Sequence, residues 1–197
     1  EEMRAQLQLS LVRSHAAGTG PEVEEEVIRA LMLLRLSTLC TGRTGVRPVV
    51  VETYAKALNA GIVPVVREYG SLGCSGDLAP LAHCALALLG EGEVRVNGEL
   101  QDAGEALAAA GIEPLQLREK EGLALINGTD GMLGQLCLAI TDLRAAAKTA
   151  DIATAMTVEG LLGTLVVFAD DLQQLRPHPG QADAAANILQ VLSLIHI

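Results

Sequence analysis

The stretch GSLGCSGDLAPLAH, residues 70–83, sets Ser75 between Cys74 and Gly76, follows it with Asp77, and surrounds the group with glycines. Glycine loses more backbone freedom on folding than any other residue, so this concentration needs a reason. One reading is a helix N-terminus, with Ser75 as the cap and Asp77 in the first turn. A phosphate-binding loop would need a Gly-Lys-Ser/Thr ending, which is missing. A Gly-x-Ser-x-Gly nucleophile elbow fails because position 77 is Asp where the second Gly belongs. A further reading uses the main chain itself. Ser-Gly is the pair whose backbone cyclises most readily, because a Cβ at position 76 would hinder approach of the Gly76 nitrogen to the carbonyl of residue 74. Loss of the serine hydroxyl would then leave an electrophilic alkene that none of the twenty side chains supplies.

Three other positions could take part in chemistry. Asn127 stands in INGTDG (residues 126–131), where Asn-Gly reads equally as a turn. His15 closes an N-terminal helical pattern in SHAAG, a place for a capping or core residue. His83 lies on an apolar helix and reads as a packed, hydrogen-bonded residue, and His178 sits in a Pro-rich turn. Cys40, Cys74, Cys84 and Cys137 include no Cys-x-x-Cys pair and no matching His spacing, so no metal site and no disulfide framework is expected.

The elements that must position these residues are mostly helical. Half of the 197 residues are apolar, but only Tyr54, Tyr69 and Phe168 are aromatic, which leaves a core of Leu, Ala, Val and Ile. That composition favours packed helices. Helical spacing covers residues 3–16, closed by Gly18 and Gly20, and a second helix is expected from Pro21 to about Cys40. Its acidic start, Glu22 to Glu26, suits the dipole of a first turn. Pro48 restarts a helix that ends near Asn59, and Pro64 interrupts the chain. Residues 78–89 read as a buried helix stopped by Gly90, EVRVNGEL as a hairpin about Asn97-Gly98, and AGEALAAAG as a short helix. From Gly122 to Leu175 the pattern is almost wholly helical, with breaks near Gly128, Gly131 and Gly160. Several helices are apolar on more than one side, as in a bundle or a subunit interface.

GSLGCSGDLAPLAH closely resembles the signature of the ammonia-lyase family that carries the 4-methylideneimidazol-5-one (MIO) group. The resemblance continues, in family order, through LSLVRSHAAGTG (9–20), EGLALINGTDGML (121–133) and LRPHPGQADAAAN (175–187). It implies a mainly α fold, a long-helix bundle of the ammonia-lyase/fumarase-like type with a small β-hairpin. It also implies that Cys74, Ser75 and Gly76 form MIO autocatalytically, with no external cofactor and no metal. Cysteine stands where the family more often has alanine, a change in the ring substituent and not in the alkene. Asp77 matches the aspartate that assists cyclisation, Asn127 the asparagine beside ring and substrate, and His15 the histidine that contacts the substrate side chain. The family's base is a tyrosine on a loop preceding residue 1, and neither Tyr54 nor Tyr69 falls at that motif.

The activity so implied is removal of ammonia from an aromatic amino acid, with histidine and its product urocanate favoured over tyrosine or phenylalanine. A tyrosine or phenylalanine lyase or aminomutase is the near alternative, and a non-enzymatic helical oligomerisation segment the distant one. Expected partners are a small amino-acid substrate and further copies of the chain, as a homotetramer, in the cytoplasm. A net charge of −10 with scattered Lys and Arg argues against nucleic acid, and no uninterrupted apolar stretch suggests a membrane span. The chain reads as a single region, 1–197, internal to a longer helical domain and inactive alone. Residues 190–197, VLSLIHI at their end, depart from the expected small-residue pattern and read as a foreign tail.

Overall fold

Leu78–Leu88, eleven residues of which Pro80, Leu81, Ala82, Cys84, Ala85, Ala87 and Leu88 are buried, can only be a helix surrounded by others. In the computed structural model, which describes residues 2–193, it is α4, the centre of the larger of two compact units, Glu1–Leu138 and Ala139–Ile197. Around it in the first unit lie α1 (Glu2–His15), α2 (Glu25–Cys40), α3 (Pro48–Asn59), α5 (Ala103–Ala109) and α6 (Glu121–Ile126). α7 (Asp130–Gly160) begins in this unit and carries on into the second. Among the described residues, Tyr54 is the one aromatic residue of the largest fully buried side chains, and Leu and Ile make up most of the others. The mainly α expectation holds.

Two small sheets complete the first unit. The expected hairpin is β4 (Glu93–Val96) and β5 (Glu99–Asp102), with Asn97 and Gly98 at φ 53° and 82°, the doubly left-handed turn that matches strand twist. β2 (Ile62–Pro64) adds an edge strand, where Pro64 is tolerated because an edge position need not donate to the ladder. β1 (Thr19–Glu22) pairs antiparallel with β3 (Arg67–Tyr69). This corrects the helix expected from Pro21: residues 19–22 are extended and α2 starts at Glu25. Glu22 therefore takes no part in a first turn. It accepts a fork of two hydrogen bonds from Arg95 (2.7 and 3.1 Å) and faces Arg67, contacts that hold its carboxyl below the ordinary range.

A half-buried ion pair ties α6 to the start of α3. Glu121, 2% exposed, accepts from the Arg47 guanidinium (Nε and Nη2, both 2.8 Å) and from the main-chain amides of Arg47 and Arg118. Burial alone would raise its carboxyl; those donors outweigh burial and hold it below its usual value. A folded value below the unfolded one gives stability that is complete above the unfolded value and lost as pH falls through the folded one. Glu121→Gln is therefore expected to cost about 2 kcal/mol at pH 7. The deficit against wild type should shrink below the carboxylate range, as read by urea midpoints across pH.

The break expected near Gly160 is where α7 ends, whereas α7 runs through Gly131 without one, and the helical pattern expected on to Leu175 is not continuous. Leu162 turns left-handed (φ 52°), and a 3-10 turn (Val166–Phe168) and α8 (Asp170–Gln173) follow. α9 (Pro179–Ser193) packs Ile188 and Leu192 on Ala155, and Asn187 donates to Asp151 (2.9 Å). α9 thus includes residues 190–193 of the expected foreign tail; the rest of that tail, with His196, lies outside the described residues.

Candidate active site

β3 delivers the chain to Gly70, and residues 71–77 then loop out before α4 begins. The loop is drawn closed at its neck. Ser71 Oγ donates to one Asp77 oxygen and the Leu72 amide donates to the other (2.8 Å), while the Gly73 amide donates to Ser71 Oγ (3.2 Å). Asp77 itself is 1% exposed. It occupies the N-cap position of α4, but its side chain turns back to the loop and makes no cap bond. This corrects the cap reading of Ser75. That residue is exposed in the turn two positions earlier, because Asp77 is committed to closing the neck.

Gly76 has φ +80°, a conformation that L side chains rarely adopt. A Cβ built there would lie 3.1 Å from Asn127 Oδ1, so the Asn127 amide is seated directly on the glycine of the tripeptide. Asn127 stands between α6 and α7, an interruption fixed by one backbone bond: the Asp77 amide donates to the Gly128 carbonyl (3.0 Å). The structure therefore gathers Cys74, Ser75, Gly76, Asp77 and Asn127 at the adjoining starts of α4 and α7, where unpaired amide dipoles favour negative charge. These residues fit a ring made from the main chain of 74–76. The turn has a glycine where cyclisation needs one, and Cys74 and Ser75 are exposed and free to bend.

His15 is half-buried at the end of α1 and belongs to a neighbouring segment. Its Nδ1 lies 2.8 Å from the Leu11 carbonyl, which only accepts, so Nδ1 donates there and Nε2 is left for other contacts. The loop after it is held by His83, whose Nε2 accepts from the Gly18 amide (3.0 Å). Burial, then nearby Arg67, lowers the His83 value and keeps that nitrogen unprotonated. His83 is thus the packed, hydrogen-bonded residue its helix pattern implied. Gly18 in turn touches Gly70, which links the His15 segment to the base of the loop. Tyr54 is 1% exposed and unsuited to meet substrate, and Tyr69 lies on β3 over Gly20. Burial pushes the Cys84 thiol up to about 12, which makes it inert.

Behind Asp77 a cavity of about 30 Å³ is lined by Ser71, Pro80, Gly131 and Leu31, among others, room for water and not for an amino acid. Sequence reasoning did not find Ser71 or Arg35 as parts of this site, nor Asp130 as the charge that faces Arg35 from outside it. Arg35 Nη1 donates to the Asn127 carbonyl (2.8 Å) and lies 3.4 Å from Asp130 Oδ2. The INGTDG motif hinted at Asp130; nothing local marks an arginine 92 positions before Asn127.

The sequence matches the profile of the family described as aromatic amino acid lyase over residues 1–195, and the chain belongs to that family. It is a family of MIO-dependent enzymes. Among individual proteins, the chain is 64% identical over 192 residues to histidine ammonia-lyase of Streptomyces coelicolor, covering 97% of this chain and 38% of that protein. It is 49% identical over 184 residues to an MIO-dependent tyrosine 2,3-aminomutase of Streptomyces globisporus, covering 93% and 34% of the two chains. The crystal structure of histidine ammonia-lyase from Trypanosoma cruzi superposes with a TM-score of 0.90 at 41% identity, over 95% of this chain and 37% of that one. The chain thus spans little more than a third of the length of the relatives it matches.

Proposed function

We propose that the full-length protein removes ammonia from L-histidine to give urocanate, using an MIO group formed from Cys74, Ser75 and Gly76. The observation that carries this reading is the Asn127 amide seated on Gly76 in a loop closed by Asp77. Histidine is favoured over tyrosine or phenylalanine by the 64% identity to a histidine ammonia-lyase, against 49% to a tyrosine aminomutase.

Ring formation balances without an oxidant. The Gly76 nitrogen bonds to the Cys74 carbonyl carbon, and that oxygen leaves as water with the amide hydrogens of Ser75 and Gly76, which makes a C=N bond. Ser75 then gives up its Cα hydrogen and its hydroxyl as a second water, leaving Cα=Cβ. Asp77, whose carboxylate is anchored next in the chain, accepts a proton during closure. The group, held by the main chain of residues 74–76, would supply an electrophilic alkene for elimination of the amino group. Asn127 Oδ1 orients groups at the ring, and His15 Nε2 contacts the substrate side chain.

The tripeptide is exposed and the adjoining cavity too small for substrate, which supports a site completed by other copies of the chain in a tetramer. Leu133, Leu136, Ile140 and Leu143 on α7 are exposed at the 3-4-3 spacing of a helix–helix seam. The helical run Glu121–Gly160 that contains them is long and apolar enough to cross a membrane, with a mean hydropathy of 1.3, but the seam spacing fits packing between copies better. The test is ammonia release by the full-length protein from histidine, tyrosine and phenylalanine in parallel. Release from histidine, with urocanate as product, is expected; release only from tyrosine or phenylalanine would move the assignment to the alternative, and none from any would leave a scaffold.

A further inference from the structure

Arg35, in the middle of α2, is 4% exposed, as are few arginines in any protein. It faces Asp130, also 4% exposed, across 3.4 Å. Such a pair is a poor device for stability alone, since apolar residues of similar volume commonly serve as well. Nor is the cluster saturated: Arg35 Nε, Tyr54 Oη and Asp130 Oδ2 have no hydrogen-bond partner among the described residues. Arg35 Nη1 donates a hydrogen bond of good geometry to the main-chain carbonyl of Asn127, at 2.8 Å. Arg35 therefore grips the interruption between α6 and α7 at its first residue, Asn127, and faces the first residue of α7, Asp130. Between them, Gly128 leaves no room for a side chain beside Arg35 Nη1, and its carbonyl receives the Asp77 amide.

We propose that Arg35 is a positioning residue for ring formation: through the Asn127 carbonyl it sets the Asn127 side chain on Gly76 and the Gly128 carbonyl on the amide of Asp77. This rests on the reading that residues 74–76 cyclise. A hydrogen bond from a charged donor at this point fixes both partners of the tripeptide, and its loss slows closure by about tenfold or more.

The test follows intact mass after synthesis of the full-length protein, where each ring formed removes two waters. Arg35→Met leaves the Asp130 charge unpaired and can fail by misfolding. Arg35→Met/Asp130→Asn removes both charges and is expected to fold, with wild-type oligomeric state and a melting temperature within a few degrees. It should nevertheless lose its two waters about tenfold more slowly or worse. Asp130→Asn alone keeps the bond to Asn127 and should mature at the wild-type rate. A folded double variant that matures as fast as wild type overturns the proposal. So does an Asp130→Asn variant as slow as the double variant, since the charge pair and not the Asn127 carbonyl would then matter. A wild-type protein that keeps both waters overturns the underlying reading as well, which separates the two failures.

Discussion

Ser75→Ala in the full-length protein abolishes ammonia release, by about three orders of magnitude or more, and leaves folding untouched. The two halves of this expectation have separate causes. Ser75 is exposed, and the neck of its loop is closed by Ser71, Leu72 and Asp77, none of which depends on the Ser75 hydroxyl. Stability should stay within about 0.5 kcal/mol of wild type, as for other exposed substitutions. Chemistry fails because alanine has no hydroxyl to lose, so no alkene can form whatever the backbone does. A variant that keeps even a tenth of wild-type turnover would remove Ser75 from the mechanism.

Gly128→Ala should be the most damaging single methyl group in the first unit. The new Cβ would overlap Asp130 Oδ2 and lie 2.6 Å from Arg35 Nη1. Both are ends of side chains, but both are buried and neither has open space to retreat into. Displacing them separates a buried pair and pulls the Gly128 carbonyl from the Asp77 amide. A loss of about 3 kcal/mol in urea denaturation is expected, with ring formation slowed alongside. Gly180→Ala is the matched control: nothing lies within 4 Å of its Cβ position and it sits in α9, where alanine stabilises by up to about 1 kcal/mol. Equal effects at the two positions would refute the steric account.

The loop at 70–77 was legible in the sequence because its signals are local: glycines, a serine and an aspartate whose order alone restricts the backbone. The hairpin at Asn97-Gly98 and the helix after Pro48 were legible for the same reason. Thr19–Glu22 was not. Its glycine and proline are poor strand residues, and it is extended because β3 and Arg95, far along the chain, hold it there. Leu162 is likewise a leucine forced left-handed between Gly160 and Gly163, which no propensity foretells. In the site, Asn127 could be singled out, but what it touches could not. Its placement on Gly76 depends on Arg35 and on the Gly128 carbonyl, contacts made across 51 to 92 positions that only the packed helices bring together.

Intact-mass measurement of the purified full-length protein, with a peptide map of residues 70–83, tests the central claim most directly. The expected result is a chain lighter by two waters, the whole loss lying in the peptide that contains Cys74, Ser75 and Gly76, and added near-ultraviolet absorbance that vanishes in Ser75→Ala. A natively folded protein of unmodified mass, with an ordinary serine at position 75, would contradict it.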